Sequence, residues 1–143
     1  MRISDILDGR PGVRTLGADA GVRTLLAELA EHNIGAVVVS SDGARVEGIV
    51  SERDVVRRLH HDGTVVDSTV GAIMTPAAEV ETCSPESDLD DVLARMTAGR
   101  FRHLPVVADG LLIGIVSIGD LVKATIDRLQ FERDQLDSYL TQG

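Results

Sequence analysis

The chain has 143 residues, 43% hydrophobic and 26% charged, which suits one soluble globular domain or two small repeats sharing a core and excludes global disorder. A formal net charge of -9 opposes a phosphate backbone unless cations gather on one face, and the scarcity of aromatics (Phe101, Phe131 and Tyr139, with no tryptophan) excludes a stacking platform for single strands. Arginine supplies thirteen of the fourteen cations, and the single lysine, Lys123, follows no glycine-rich loop, which excludes a Walker-type phosphate site.

In chain order, the N-terminus Met1-Arg2-Ile3-Ser4-Asp5 has no apolar stretch, so a secretory leader is not expected. No apolar run approaches the ~20 residues that span a bilayer. Val22, Leu25, Leu26 and Leu29 step at three- and four-residue spacing and predict a helix over 22–32. A strand follows over 36–39, then a turn at Asp42-Gly43 and a second strand over 46–50. Another helix begins at Ser51 and runs to His60-His61, a pair with no third metal ligand at useful spacing, so no metal site is expected.

The same succession then returns. Cys83 falls in a short strand as a small buried residue; being the one cysteine, it allows no intrachain disulfide and fits a reducing cytoplasm. Asp88-Leu-Asp-Asp91 reads as an acidic first turn of a helix over 89–98. A strand over 103–107, a turn at Asp109-Gly110, a strand over 111–116 and a helix from Ser117 complete it. Beyond Asp120 the helical pattern continues: Val122, Ile126, Leu129, Arg133, Leu136 and Leu140 form a coiled-coil-like seam with one charged interruption. That tail either packs on its own module or forms a dimer contact, and the second is favoured because Phe131, Leu136, Tyr139 and Leu140 would otherwise be exposed.

The succession is an internal repeat. At an offset of 66, Gly48, Ile49, Val50, Ser51, Asp54 and Val56 meet identical residues at Gly114, Ile115, Val116, Ser117, Asp120 and Val122. At an offset of 67, Ile3, Ile6 and Leu7 meet Val70, Ile73 and Met74, and Val22, Leu25, Leu26 and Leu29 meet Leu89, Val92, Leu93 and Met96. Residues 1–68 and 69–128 are thus expected as two α/β (α+β) units, with 129–143 as a helical extension. Units of about 60 residues close a core poorly alone, and packing the two sheets together would remedy that.

The chemistry concentrates in Ser51-Glu-Arg-Asp54 and Ser117-Ile-Gly-Asp120. Each reads as a helix start, with serine as N-cap and an acid three residues on. Each also suits a nucleotide: a helix N-terminus after a strand offers N–H groups to phosphate, and a carboxylate accepts both hydroxyls of a ribose. Ser117 does not sit in a Gly-x-Ser-x-Gly elbow, and its counterpart Ser51 argues for a cap rather than a nucleophile.

Two copies of this strand-Gly-Ile-Val-Ser-x-x-Asp pattern, each after a strand such as Leu104-Pro105-Val106-Val107, resemble tandem CBS motifs, the cystathionine-beta-synthase domain pair or Bateman module. The resemblance covers residues 1 to about 128. It implies two small sheets, each with two helices, around a pseudo-twofold axis with two clefts between them. It further implies that Asp54 and Asp120 take ribose hydroxyls and that Ser51 and Ser117 contact phosphate or ribose. Arg53 would neutralise phosphate in the first motif; Gly119 stands there in the second, where Arg102 and His103 would supply the charge. Arg100 and Arg102 read equally as a solvated helix end. Ile34, Gly35 and Ala36, with His103, Leu104 and Pro105, would border the adenine between aliphatic side chains.

The expectation is a non-catalytic, cytoplasmic regulatory module without a catalytic cofactor. Its ligand would be AMP, ADP or ATP, which makes it an energy sensor, with NAD(H) or S-adenosylmethionine as further candidates. It would signal through a homodimer or an unknown protein partner, with no membrane or nucleic acid. The alternative is a ligand-free structural or interaction module. An enzyme reading lacks a metal constellation, a base paired with a nucleophile, and a P-loop.

Overall fold

The computed structural model describes residues 1–142. Its elements run α1 (Ile3–Leu7), β1 (Thr15–Leu16), α2 (Val22–His32), β2 (Ala36–Val39), β3 (Gly48–Ser51), α3 (Glu52–His61), α4 (Val70–Ile73) and β4 (Thr75–Pro76). The second half continues with α5 (Leu89–Gly99), β5 (His103–Ala108), β6 (Leu111–Ser117) and α6 (Ile118–Gln142). The chain is thus a mixed α/β fold with two small sheets, one ordered β1-β2-β3-β4 and the other β5-β6.

Local chemistry sets the boundaries. Helix α2 buries Val22, Leu25 and Leu29 along one stripe and stops at Asn33, whose left-handed backbone (φ 50°) turns its N–H onto the Leu29 carbonyl. Helix α5 repeats this with Leu89, Val92 and Met96 buried and Arg100 left-handed at φ 56°. The Asp88 carboxylate caps its start by accepting from the Asp90 and Asp91 amides. Strand β2 is buried along its whole length, as its Ala-Val-Val-Val sequence predicts for a central strand. The β5–β6 hairpin closes on Asp109 and Gly110, both at positive φ, the pair a primed two-residue turn requires.

The repeat is visible bond by bond. The Ser40 amide donates to the Leu16 carbonyl at 2.8 Å, and the Val107 amide donates to the Cys83 carbonyl at the same distance. Leu16 pairs with Val39 in parallel, and Cys83 pairs with Val106 in parallel. The Cys83 thiol is buried, and that burial pushes its pKa up to about 11 despite the nearby Arg95.

The halves exchange their opening segments. Ile3 donates its N–H to the Ser87 carbonyl at 3.0 Å and is fully buried in a core with Leu89, Val92, Met96, Leu104, Val116 and Leu121. Reciprocally, Val70 donates to the Ala20 carbonyl at 2.8 Å, and Val70 and Ile73 complete the core of Val22, Leu25, Val37, Val39 and Val50. Helix α1, first in the chain, therefore packs on the second sheet, while α4 and β4 pack on the first. Gly48 allows this crossing: a Cβ there would lie 2.6 Å from the Thr75 carbonyl oxygen.

Helix α6 continues unbroken to Gln142. Its first turns lie against α5, where Arg128 pairs with Asp90 at 3.5 Å, but its remainder does not fold back on the module. Phe131, Leu136, Tyr139 and Leu140 are each at least 63% exposed.

Candidate functional site

Each Ser-x-x-Asp segment forms a reciprocal cap where a strand gives way to a helix. The Ser51 amide donates to the Asp54 carboxylate at 2.8 Å, and the Asp54 amide donates back to the Ser51 hydroxyl at 3.4 Å. The Ser117 amide and Asp120 do the same at 2.8 and 3.1 Å. The amides of Glu52 and Ile118 donate to the carbonyls of Gly35 and Arg102, so of the first three helical amides two are occupied in each case. That leaves Arg53 and Gly119 to offer an N–H, a narrower anion site than a bare helix N-terminus.

Two clefts flank the pseudo-twofold axis. The larger, about 540 Å³, places Ser117 and Asp120 opposite Ile34, Gly35 and Ala36, with Arg10 and Arg14 along its rim. The smaller, about 220 Å³, places Ser51, Arg53 and Asp54 opposite Arg100, Phe101 and Arg102. Each cleft thus joins the acidic motif of one repeat to the strand entrance of the other. Arg102, expected beside the second motif, lines the cleft that holds the first, because the entrance to β5 faces the opposite repeat. Leu104 and Pro105 border neither cleft, since both are buried, Leu104 within the second core.

His103 touches both clefts. Its ring sits against the Gly35 backbone, where a Cβ would come within 3.0 Å of Cε1 and Nε2. Burial holds its pKa below the ordinary imidazole range, against the pull of Glu52 and Asp120; Arg102 depresses it further.

The motif reading named Arg53, Arg100 and Arg102 and left out Arg10, Arg14 and Arg57. Six of the thirteen arginines line the clefts: Arg10 and Arg14 in the larger, and Arg53, Arg57, Arg100 and Arg102 in the smaller. The smaller cleft is therefore a basic concavity on an acidic chain, whereas the two arginines of the larger are paired with Asp120 and Glu28. Arg10 and Arg14 lie in the connection after α1, which the exchange of α1 delivers to the second repeat. Their counterparts in the other half are Ala77 and Glu81, so the clefts are unequal. The two arginines flanking Pro11-Gly12-Val13, with no basic match one repeat later, were the available signal.

The aspartates differ too. Asp120 meets Arg10 through both carboxylate oxygens, at 3.0 and 3.2 Å. Burial pushes the Asp120 carboxyl up, but Arg10 and the Ser117 amide and hydroxyl outweigh it and hold the group below its ordinary value. Asp54 is bonded to the Ser51 amide and hydroxyl through one oxygen and has no ion pair among the described residues.

The model of the CBS domain matches the chain twice, over residues 3–61 and 70–127. The chain belongs to the CBS domain family. A mitochondrial CBS domain-containing protein of Arabidopsis thaliana is 37% identical over 87% of this chain, which spans 62% of that protein's length. The crystal structure of a CBS-domain-containing protein from Agrobacterium tumefaciens superposes with a TM-score of 0.80 at 41% identity, covering 87% of this chain and 99% of that one. A CBS domain protein from Pyrobaculum aerophilum, solved in complex with AMP, superposes at 0.73 with 27% identity, covering 84% of this chain and 89% of that one. Among the described residues of this CBS pair, no helix is long and apolar enough to cross a membrane.

Proposed function

We propose that this CBS pair is a non-catalytic regulatory module that binds an adenine nucleotide, AMP, ADP or ATP, in the clefts between its repeats. The observation that carries the reading is the pair of arginine-lined clefts, each holding a Ser-x-x-Asp motif opposite a backbone strand entrance. A carboxylate accepts the two ribose hydroxyls, and arginines neutralise phosphate. Aliphatic Ile34, Ile113 and Ile115 offer the base van der Waals contact in the larger cleft. The AMP complex of the Pyrobaculum relative supports the same ligand class. NAD(H) and S-adenosylmethionine share the adenosine half and remain in the test set.

The module acts through assembly. Val122, Ile126 and Leu129 on α6, each more than 40% exposed, continue into the exposed Leu136 and Leu140 and suit a homodimer seam or a protein partner. A ligand that favours one angle between the repeats biases that assembly only by its differential affinity for the two shapes. The free cysteine fits a reducing, cytoplasmic setting.

A thermal-shift screen against AMP, ADP, ATP, NAD, NADH and S-adenosylmethionine tests the reading. A bound ligand at 100 times its Kd adds about 2.7 kcal/mol and raises Tm by several degrees. Light scattering with and without that ligand reads the assembly, and Leu136→Asp is expected to weaken it. No shift with any of the six favours a ligand-free interaction module instead.

A further inference from the structure

The larger cleft is closed to ribose as it stands. Both oxygens of Asp120 are engaged by the Arg10 guanidinium in a two-bond fork, and one of them also accepts the Ser117 amide. A ribose diol approaching this carboxylate meets an arginine already in its place. Asp54, in the smaller cleft, has no such cover, and the position matching Arg10 there is Ala77.

The cover is built to move. Arg10 sits in the segment joining α1 to β1, between Gly9 at φ 75° and Gly12. Its side chain is 38% exposed and that of Asp120 is 30% exposed. An ion pair this open to water is weak, so a stronger anion in the same cleft displaces it. A phosphate meets that condition, since it accepts the same guanidinium fork and carries more charge than a carboxylate. Arg14, paired with Glu28 at 3.4 Å on the same rim, adds a second cation.

Resting on the nucleotide reading above, we propose that Arg10 is a specificity-determining latch: it covers Asp120 until a phosphate draws it away, so the larger cleft favours phosphorylated adenosines over adenosines without a phosphate. One residue serves twice, as a block before binding and as a phosphate ligand after it. Adenosine would need Asp120 freed and offers Arg10 nothing in exchange. AMP exchanges one partner of Arg10 for a better one.

Calorimetric titration of AMP and adenosine into the full chain tests this, using wild type, Arg10→Gln, Arg10→Lys and Asp120→Ala. Arg10→Gln changes a half-exposed loop residue, and its Tm verifies the fold. Wild type is expected to bind AMP roughly 10- to 100-fold more tightly than adenosine at the Asp120-dependent site, the size of a charged hydrogen-bond pair. Arg10→Gln should weaken AMP by roughly tenfold or more and at the same time strengthen adenosine, a crossover that loss of structure alone does not produce. Arg10→Lys should keep part of the AMP affinity while admitting adenosine better, because lysine lacks the fork but holds its charge. Equal wild-type affinities, or an Arg10→Gln variant that weakens both ligands alike or changes neither, overturn the latch and leave nucleotide binding standing. Absence of binding by either ligand to both wild type and Arg10→Gln overturns the latch and the nucleotide reading together.

Discussion

His103 joins the two clefts through one imidazole, and its counterpart in the first repeat is Ala36, so only the second repeat places an imidazole there. Burial keeps that imidazole neutral in the folded chain to lower pH than in the unfolded chain. As pH falls through about 6.5, the unfolded state takes up a proton that the folded state does not. Stability contributed by the neutral ring is therefore full above that value and declines with acidification down to the folded-state pKa. Thermal melts between pH 8 and 5 should show a shallower decline for His103→Gln than for wild type; parallel curves would show that the buried ring carries no such linkage. Asp120 acts in a lower window, because its carboxyl is held below the ordinary range and its contribution is lost only on strong acidification.

At the level of elements, the helix ends divide structural from functional demands. Asn33 and Arg100 occupy matching left-handed positions that close α2 and α5. Asparagine tolerates that backbone, whereas arginine does so at a cost. Arg100 lines the smaller cleft, and its carbonyl accepts from Arg53 at 3.4 Å, so the strain sits beside the candidate site. Arg100→Gly is expected to raise stability by about 1 kcal/mol in a denaturant melt while weakening nucleotide binding in the smaller cleft. A variant that is both less stable and equally competent to bind would contradict this. Most of these elements were legible in advance. The apolar spacing of Val22, Leu25 and Leu29 predicted a helix over 22–32, and that helix forms over those residues. Asp109-Gly110 predicted the hairpin turn, and Ser51 and Ser117 predicted the two later helix starts. What periodicity could not show was the partner of each element: Arg102 is one step from its strand in either reading, but only the packing of β5 against the opposite repeat decides which motif it faces.

At the scale of the whole molecule, the exchange of α1 and α4 makes each core depend on both halves. Ile3 is the third residue of the chain, yet it is wholly buried among residues 83–121. Ile3→Ala should therefore cost about 2–5 kcal/mol, as for an interior aliphatic residue, and a loss near zero in a urea melt would contradict the exchange. The same exchange explains why Arg10 and Arg14 escaped the repeat alignment as site residues: they are sequence neighbours of the first repeat and rim residues of the second motif's cleft. The central claim is that these clefts hold an adenine nucleotide through Asp54 and Asp120. Calorimetric titration of AMP into wild type, Asp54→Ala, Asp120→Ala and the double variant tests it most directly. Saturable binding with unequal sites is expected, one component lost with each single variant and both lost in the double. No heat at millimolar AMP, or a titration unchanged in the double variant, would contradict it.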